Sequence, residues 1–184
     1  DLTITGNDII CENENTIIEV KGGGASTQYL WSTGETTQSI NVSPMVTTDY
    51  YLKSVSEICG KIESYDTVTV RVDPLPLPEF EMFPVQPPYT ITTNIRFNDI
   101  STTPLGSIIS WMWDFGDGTI SSAKDPMHTF VDTGMYLVKM YSTNTFGCTD
   151  TVAKLVEIKV DFNIYIPTAF TPNGDGLNDA MEIY

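Results

Sequence analysis

The chain has 184 residues, enough for one medium domain or two small ones, and its 41% hydrophobic and 11% aromatic residues are typical of a globular protein. It carries 24 acidic and 9 basic residues, for a formal net charge of −15. This balance excludes nucleic acid as the expected partner, because no face is basic enough to neutralise a phosphate backbone. The acid excess is spread along the chain, which favours an extracellular protein over one that binds anionic membrane.

Membrane-spanning segments are not predicted. No stretch approaches the roughly 18 apolar residues of a transmembrane helix, and no basic-then-apolar leader opens the sequence. A chain that begins DLTITGNDIICENE is expected to be a part of something longer.

Period-two alternation of apolar and polar residues runs through the chain, whereas helical periodicity is almost absent. In YDTVTVRV the side chains of Val68, Val70 and Val72 share one face of a strand, and MYLVKMYS and LVEIKV alternate in the same way. Turn signals such as KGGGAS, STGETT and FGDGT separate these runs. Many short strands at this spacing predict an all-β protein built of β-sandwiches.

The segment VDPLPLPEF divides the chain in two. Prolines at positions 74, 76 and 78 cannot lie in a central strand, because each lacks the N–H that the ladder needs. Such a segment favours extended polyproline II and acts as a semi-rigid spacer. We predict one module over residues 1–73, a linker over 74–78 and a second module over 79–160, followed by a separate terminal stretch over 161–184.

Cysteine spacing characterises the first module. Cys11 opens it, Cys59 lies near its end and Trp31 stands between them, which is the pattern of an immunoglobulin-like sandwich. We predict a Cys11–Cys59 disulfide, which would stabilise the module by roughly 4 kcal/mol. The alternative is a pair of buried thiols. The third cysteine, Cys148, is predicted to be a free thiol because the early strands of its own module contain no partner.

The stretch LWSTGETTQSINVSPMVTTDYYL resembles the Ig-like repeats of large surface proteins of the Bacteroidetes. The matching positions are Trp31, Ser32, Gly34, Thr36, Ile40, Pro44 and Tyr50 or Tyr51. Trp31 could serve as a platform on which sugars stack. Its place between apolar Leu30 and a turn favours a core position instead.

The stretch from Trp111 to Thr151 closely resembles the PKD domain, whose signature runs W-D-F-G-D-G, then H-x-F/Y, then G-x-Y-x-V. The matching positions are Trp113, Asp114, Phe115, Gly116, Asp117, Gly118, His128, Phe130, Gly134, Tyr136 and Val138. The resemblance covers about 80 residues. PKD domains are Ig-like sandwiches that serve as spacers and adhesive modules, so it implies tandem Ig-like β-sandwiches with a structural second module.

The residue types of this motif have a physical explanation. Asp114 and Asp117 beside glycines can accept backbone N–H bonds and hold a tight turn, while Gly116 and Gly118 take positive φ. Trp113 and Phe115 are expected to point inward. His128 could be a general base or a metal ligand, but we expect its ring to hold the neighbouring loop by hydrogen bonds.

Catalytic motifs are incomplete throughout the chain. The DFG at 114–116 has no kinase lysine or catalytic loop, and no G-x-S-x-G elbow accompanies the single histidine, His128. A Cys148–His128 thiol dyad is disfavoured in an oxidising compartment. We therefore predict no enzyme, no cofactor and no metal among these residues.

The stretch IPTAFTPNGDGLNDAMEI resembles the opening of the gliding-motility-associated C-terminal domain, the type B sorting domain of the Bacteroidetes type IX secretion system. The matching positions are Ile166, Pro167, Phe170, Thr171, Pro172, Asn173, Gly174, Asp175, Gly176, Asn178 and Asp179. The family domain continues beyond Tyr184, so residues 161–184 would be its incomplete start. An alternative is a calcium loop with Asn173, Asp175 and Glu182 as ligands, although it lacks a leading aspartate and flanking helices.

These resemblances together imply the non-catalytic stalk and C-terminal export or anchoring region of a large cell-surface adhesin, involved in gliding motility or attachment. The implied partners are type IX translocon components and a PorP-type outer-membrane protein, with extracellular polysaccharide as a further candidate. The implied location is the cell surface, anchored at the outer membrane. One alternative is the spacer and export tail of a secreted hydrolase, and another is a glycan-binding PKD module that uses Trp111 and Trp113.

Overall fold

The computed structural model describes residues 2–24, 26–56, 61–85 and 87–160. All the regular secondary structure in these ranges consists of β-strands. The strands form four sheets that pair into two sandwiches in tandem. The predicted all-β fold of tandem Ig-like modules is confirmed. The terminal stretch predicted over 161–184 lies outside the described residues.

Seven strands build the first module. They are β1 Thr3–Gly6, β2 Ile9–Cys11, β3 Thr16–Lys21, β4 Thr27–Trp31, β5 Ser39–Val42, β6 Thr48–Ser56 and β7 Ile62–Asp73. One sheet has the order β1-β3-β5 and the other β2-β7-β6-β4. Buried and exposed side chains alternate strictly along β3, as the sequence period predicts. The core between the sheets contains Ile18, Val20, Trp31, Leu52 and Val70, none more than 2% exposed.

Eight strands build the second module. They are β8 Phe80–Phe83, β9 Tyr89–Thr90, β10 Ile95–Asp99, β11 Ile108–Asp114, β12 Ile120–Ser121, β13 Met127–His128, β14 Gly134–Asn144 and β15 Thr149–Lys159. One sheet has the order β13-β10-β8 and the other β12-β11-β14-β15-β9. Aromatic residues dominate the core, with Phe80, Phe97, Trp113 and Phe130 fully buried and Phe115 2% exposed. Edge and tilted ring contacts of 5.1 to 6.0 Å join the first three.

Residues 74–78, predicted to be a spacer, are hydrogen-bonded to both modules. Leu77 exchanges two backbone hydrogen bonds with Thr102 of the second module, at 2.8 and 3.1 Å. From the first module, the Glu12 carboxylate accepts the N–H of Leu75 at 3.3 Å. The segment is therefore extended, as its prolines predict, but fixed in place on both sides.

A disulfide bond joins the two modules. Cys11 of β2 is bonded to Cys148 of the second module, with an Sγ–Sγ distance of 2.03 Å and a Cα–Cα distance of 5.7 Å. The predicted Cys11–Cys59 bond and the predicted free thiol at Cys148 are both wrong. The cause is strand direction: β2 runs parallel to β7 and places Cys11 opposite Asp73, where the chain enters the linker.

The other end of β7 explains why Cys59 is not the partner of Cys11. The strand has 12 residues, so Ile62 lies about 35 Å from Asp73. The three residues from Ile62 back to Cys59 span at most about 11 Å. This segment is too short to reach Cys11, and Cys59 itself lies outside the described residues.

Candidate functional site

The turn after β11 is held by two aspartates. Asp114 Oδ1 accepts the N–H of Gly116 at 2.9 Å. Asp117 Oδ1 accepts the N–H and the hydroxyl of Thr119, at 2.9 and 2.6 Å. Gly116 and Gly118 have φ values of 78° and 90°, so the predicted left-handed positions and carboxylate caps are present. The turn is closed by short local bonds that the sequence motif encodes directly.

Asp117 also contacts the single histidine. Its Oδ2 lies 2.7 Å from His128 Nε2, and each side chain is 14% exposed. The His128 ring stacks on Phe115 at 4.1 Å and meets Phe130 edge-on at 4.6 Å. Burial acts to raise the pKa of Asp117, but the hydrogen bonds from Thr119 and His128 outweigh it and leave that pKa lowered.

The role of the Asp117–His128 pair is structural. Asp117 uses one oxygen on Thr119 and the other on His128, and the imidazole lies between two aromatic rings of the core. The structure therefore places His128 as the prediction expects, as a bond from β13 to the turn after β11. Within residues 2–24, 26–56, 61–85 and 87–160, no group of three or more His, Cys, Asp or Glu side chains is arranged to hold a metal ion.

The tryptophans do not form an exposed platform. Trp113 is fully buried, and its indole N–H donates to the Ala123 carbonyl at 2.9 Å. Trp111 is partly buried against the same core, with the Lys124 ammonium 5.5 Å from its ring centroid. Trp31 is 2% exposed, so its predicted core position is confirmed. A glycan site that stacks sugars on Trp111 and Trp113 together does not fit this arrangement.

The junction around the disulfide is the site that sequence reasoning missed. The turn between β14 and β15 brings Cys148 to the linker, and Asn144, the last residue of β14, donates from Nδ2 to the Pro74 carbonyl at 2.8 Å. The Asn144 side-chain oxygen accepts the N–H of Cys148 at 3.1 Å. One sequence signal was available: the pattern FGC places a cysteine directly after a glycine turn, at a strand start that could face the linker.

Residues of the predicted sorting motif, from Ile166 to Asp179, and the calcium candidates Asn173, Asp175 and Glu182 lie outside the described residues. Their predicted roles stay predictions. The described part of the chain contains no helix that is long and apolar enough to cross a membrane.

A family comparison matches the second module. The family model described as "PKD domain" covers residues 78–160. The second module is a PKD domain. Its signature residues include those that form the end of β11 and the turn after β11 that Asp114 and Asp117 hold.

Curated relatives match the chain over short segments. A microbial collagenase of Vibrio alginolyticus is 41% identical over 58 residues, which is 32% of this chain and 7% of that protein. Collagenase ColA of Bacillus cereus is 31% identical over 77 residues, which is 40% of this chain and 8% of that protein. The matches thus span less than a tenth of the length of these relatives.

Solved structures that resemble this chain include a PKD1 domain and fibronectin(III)-like modules. The PKD1 domain of Vibrio anguillarum Epp is 25% identical, with a TM-score of 0.42, and the match covers 47% of this chain and 96% of that one. Fibronectin(III)-like modules of Clostridium thermocellum CbhA are 14% identical, with a TM-score of 0.44, and that match covers 87% of this chain and 94% of theirs.

Proposed function

We propose that this chain is the non-catalytic stalk and export or anchoring region of a large cell-surface adhesin, involved in gliding motility or attachment. The observation that carries the proposal is the Cys11–Cys148 disulfide. It joins two sandwiches whose linker is already hydrogen-bonded to both, so the two modules are held together as one unit. Structural disulfides persist in oxidising surroundings, which supports an extracellular location.

Export and anchoring rest on the resemblance of the stretch from Ile166 to Asp179 to a type B sorting domain. On this proposal, type IX translocon components read the terminal region and a PorP-type outer-membrane protein retains the protein at the cell surface. In the parent bacterium, replacing Asp175 and Asp179 by alanine should deplete the surface pool and accumulate the protein in the periplasm. An unchanged surface pool would rule out this motif as the signal.

The stalk role is tested by removing the junction bond. We expect the Cys11→Ser/Cys148→Ser double variant to unfold at a lower denaturant concentration than the wild type, because the bond closes a sequence separation of 137 residues. The chain-entropy estimate for a loop of this size is about 5 kcal/mol. Small-angle scattering should also show a broader distribution of module separations.

The control is Cys59→Ser, which makes the same substitution at the cysteine that is not part of the junction bond. Its scattering profile and unfolding midpoint should equal those of the wild type. Equal scattering from the wild type and the double variant would show that the bond does not set the geometry of the two modules, and the stalk proposal would lose its main support.

A second candidate is the spacer region and export tail of a secreted hydrolase. It is favoured by the names of the curated relatives, which are collagenases that share only a short segment with this chain. The Asp117–His128 pair supplies no chemistry for such an activity, so a catalytic domain would have to lie elsewhere in the parent protein. Gelatin zymography of the purified parent protein separates the two candidates: a cleared band supports the hydrolase and its absence supports the adhesin.

A further inference from the structure

The outer face of the sheet β2-β7-β6-β4 carries two exposed tyrosines. Antiparallel pairing places Leu30 beside Lys53 and Lys53 beside Tyr65 in one row across the strands, while Tyr51 lies beside Thr67 in the next row. Residues directly opposite each other on antiparallel strands point to the same side of the sheet. We call the surface formed by these five side chains the tyrosine face.

The rings on the tyrosine face are open to solvent. Tyr51 is 57% exposed, Tyr65 71% and Leu30 48%, and they border a shallow depression of about 260 Å³. Tyr51 and Tyr65 occupy diagonal positions on neighbouring strands, about 7 to 8 Å apart. Two consecutive rings of a linear ligand can therefore lie over the two side chains.

The Tyr65 ring is held in position before any ligand arrives. Its hydroxyl donates to Glu63 Oε2 at 3.1 Å, and the Lys53 ammonium lies 5.7 Å from the ring centroid. Lys53 is itself paired with Glu63 at 3.1 Å. Hydrogen bonds from Lys53, Lys61 and Tyr65 lower the pKa of Glu63 to about 2, so the carboxylate that anchors the ring stays ionised.

We propose that the tyrosine face binds a neutral polysaccharide. Sugar rings present C–H faces that pack on exposed aromatic rings, and their hydroxyl groups bond to polar side chains at the rim. The rim offers such groups, since the hydroxyls of Tyr51 and Thr67 form no side-chain hydrogen bond with any described residue. Rigid aromatic rings with two side-chain torsions bind such a ligand at low entropic cost.

Charge selects a neutral chain over an acidic one. Lys53 and Lys61 share the Glu63 carboxylate, and Asp66 lines the same depression, so these four groups carry no net formal charge. Residues 1–73 as a whole carry 11 acidic and 4 basic residues. An anionic polysaccharide would gain no net attraction from these four groups and would be repelled by the acid excess of the module.

Size argues against a protein partner on the same surface. A stable protein interface buries about 800 Å² on each side, with 20 to 30 residues. The depression is bordered by 9 residues, and three of its lining side chains are large exposed apolar groups. Its dimensions fit a few sugar units.

The test is native affinity electrophoresis of the oxidised chain in gels that contain laminarin, dextran or arabinoxylan, with alginate as the acidic comparison. We expect at least one neutral polymer to retard the wild type. The Tyr51→Ala/Tyr65→Ala double variant should bind at least tenfold more weakly, whereas Tyr51→Phe/Tyr65→Phe, which keeps both rings, should retain most of the retardation. Tyr141→Ala, which removes a tyrosine on the other module, is the matched control.

Three results would overturn the proposal. One is free migration of the wild type in all the neutral gels, and another is retardation by alginate alone. The third is equal retardation of the wild type and the alanine double variant. Thermal melts of each variant verify folding, and the phenylalanine variant keeps the test decisive if the alanine variant unfolds.

A second inference comes independently from the path of the covalent chain. β2 runs toward the junction beside β7, and β15 runs away from it directly after Cys148. The disulfide connects the end of one to the start of the other. The shortest covalent route through both modules therefore consists of extended strand segments, and it leaves out residues 12–147.

We infer that tension applied to the two ends bypasses most of both modules. Force entering before Cys11 crosses the disulfide and leaves along β15, which is already extended, so residues 12–147 carry little load. Reducing the bond would bring the chain between Cys11 and Cys148, a sequence separation of 137 residues, into the path under tension. At 3.3 to 3.6 Å per residue this releases about 450 to 490 Å of additional contour length. The biological use of this bypass rests on the proposed stalk role, although the bypass itself does not.

Single-molecule stretching of the chain, tethered at both ends, tests this inference. Oxidised wild type should show no extension from residues 12–147, whereas after reduction or in the Cys11→Ser/Cys148→Ser variant each module should unfold in its own step, with a summed gain of about 450 to 490 Å. Cys59→Ser should behave as the wild type. A summed gain of about 450 Å in the oxidised wild type would overturn the bypass, whereas failure of the stalk role would show only in the scattering and surface-localisation experiments.

Discussion

The two modules solve the same local problem in different ways. Each places a buried tryptophan near the end of a strand, with its indole N–H donating to a backbone carbonyl at 2.9 Å. In the first module the turn after Trp31 closes with backbone bonds, from Gly34 N–H to the Trp31 carbonyl and from Trp31 N–H to the Glu35 carbonyl, both at 2.9 Å. In the second module a backbone bond from Phe115 N–H to the Thr119 carbonyl, at 3.2 Å, is also present, but the two aspartates add side-chain bonds by accepting further N–H groups of the turn.

This difference explains why one module is easier to recognise from its sequence than the other. A turn capped by Asp114, Asp117 and His128 demands those residue types at those positions, and the demand is visible in the sequence. A turn closed by backbone bonds accepts many residues, provided that a glycine stands where φ is positive. The cores differ in the same sense, since aromatic rings dominate the second and aliphatic side chains the first.

Of the substitutions that compare the two modules, truncation of the two tryptophans should have the largest effect on stability. It tests whether the two side chains contribute equally. Trp113→Ala should lower the free energy of unfolding of the second module by about 3 to 5 kcal/mol. Trp31→Ala should cost about 1 to 2 kcal/mol less, because Trp113 also loses aromatic contacts with Phe80 and Phe97. Hydrogen exchange of peptides from each module measures both. Equal losses would show that the aromatic contacts add nothing beyond burial.

Substituting one glycine in each turn compares how closely the backbone is packed in the two turns. Gly116→Ala should destabilise by about 2 to 4 kcal/mol, because φ is 78° and the new Cβ would lie 2.9 Å from the Leu137 carbonyl oxygen. Gly34→Ala should cost about 1 to 2 kcal/mol, since φ is 97° but no atom lies within 4 Å. Denaturant midpoints of the two variants give the difference. If both cost the same, the close backbone approach in the second turn is unimportant.

Replacing the histidine tests the side-chain cap. We expect His128→Gln to lower the melting temperature of the second module and to cost about 1 to 2 kcal/mol, because the bond to Asp117 and the stacking on Phe115 are weakened. Differential scanning calorimetry measures the change, and it should leave the first module unaffected. An unchanged melting temperature would mean that the turn holds without this bond.

The smallest expected effect is a change in pH dependence. The pKa of Asp117 is lowered in the folded state, so its contribution to stability is present above the unfolded pKa and is lost as pH falls through the lowered value. The stability advantage of the wild type over Asp117→Asn should therefore shrink below about pH 4. Denaturant titrations at several acidic pH values measure this, with exposed Asp132→Asn as the charge-matched control. An advantage that stays constant down to pH 2 would contradict it.

Much of the fold and of the aspartate turn could be predicted because both depend on near neighbours. Alternation of the β7 valines predicts a strand whichever partner lies beside it, and Asp117 reaches Thr119 two residues away. The tyrosine face was not predicted, since Tyr51 and Tyr65 become neighbours only when β6 pairs with β7 in one register. A shift of one residue would turn either side chain into the core.

By itself the sequence determined the all-β class, the tandem arrangement of sandwiches, the buried positions of Trp31 and Trp113, and the turn chemistry around Asp114 and Asp117. These follow from side-chain periodicity and from hydrogen bonds between residues a few positions apart. The partner of Cys11 was decided only by the tertiary structure. Disulfide pairing depends on which strand ends meet in space, and here the parallel course of β2 beside β7 brings Cys11 to the linker, where the turn before β15 presents Cys148.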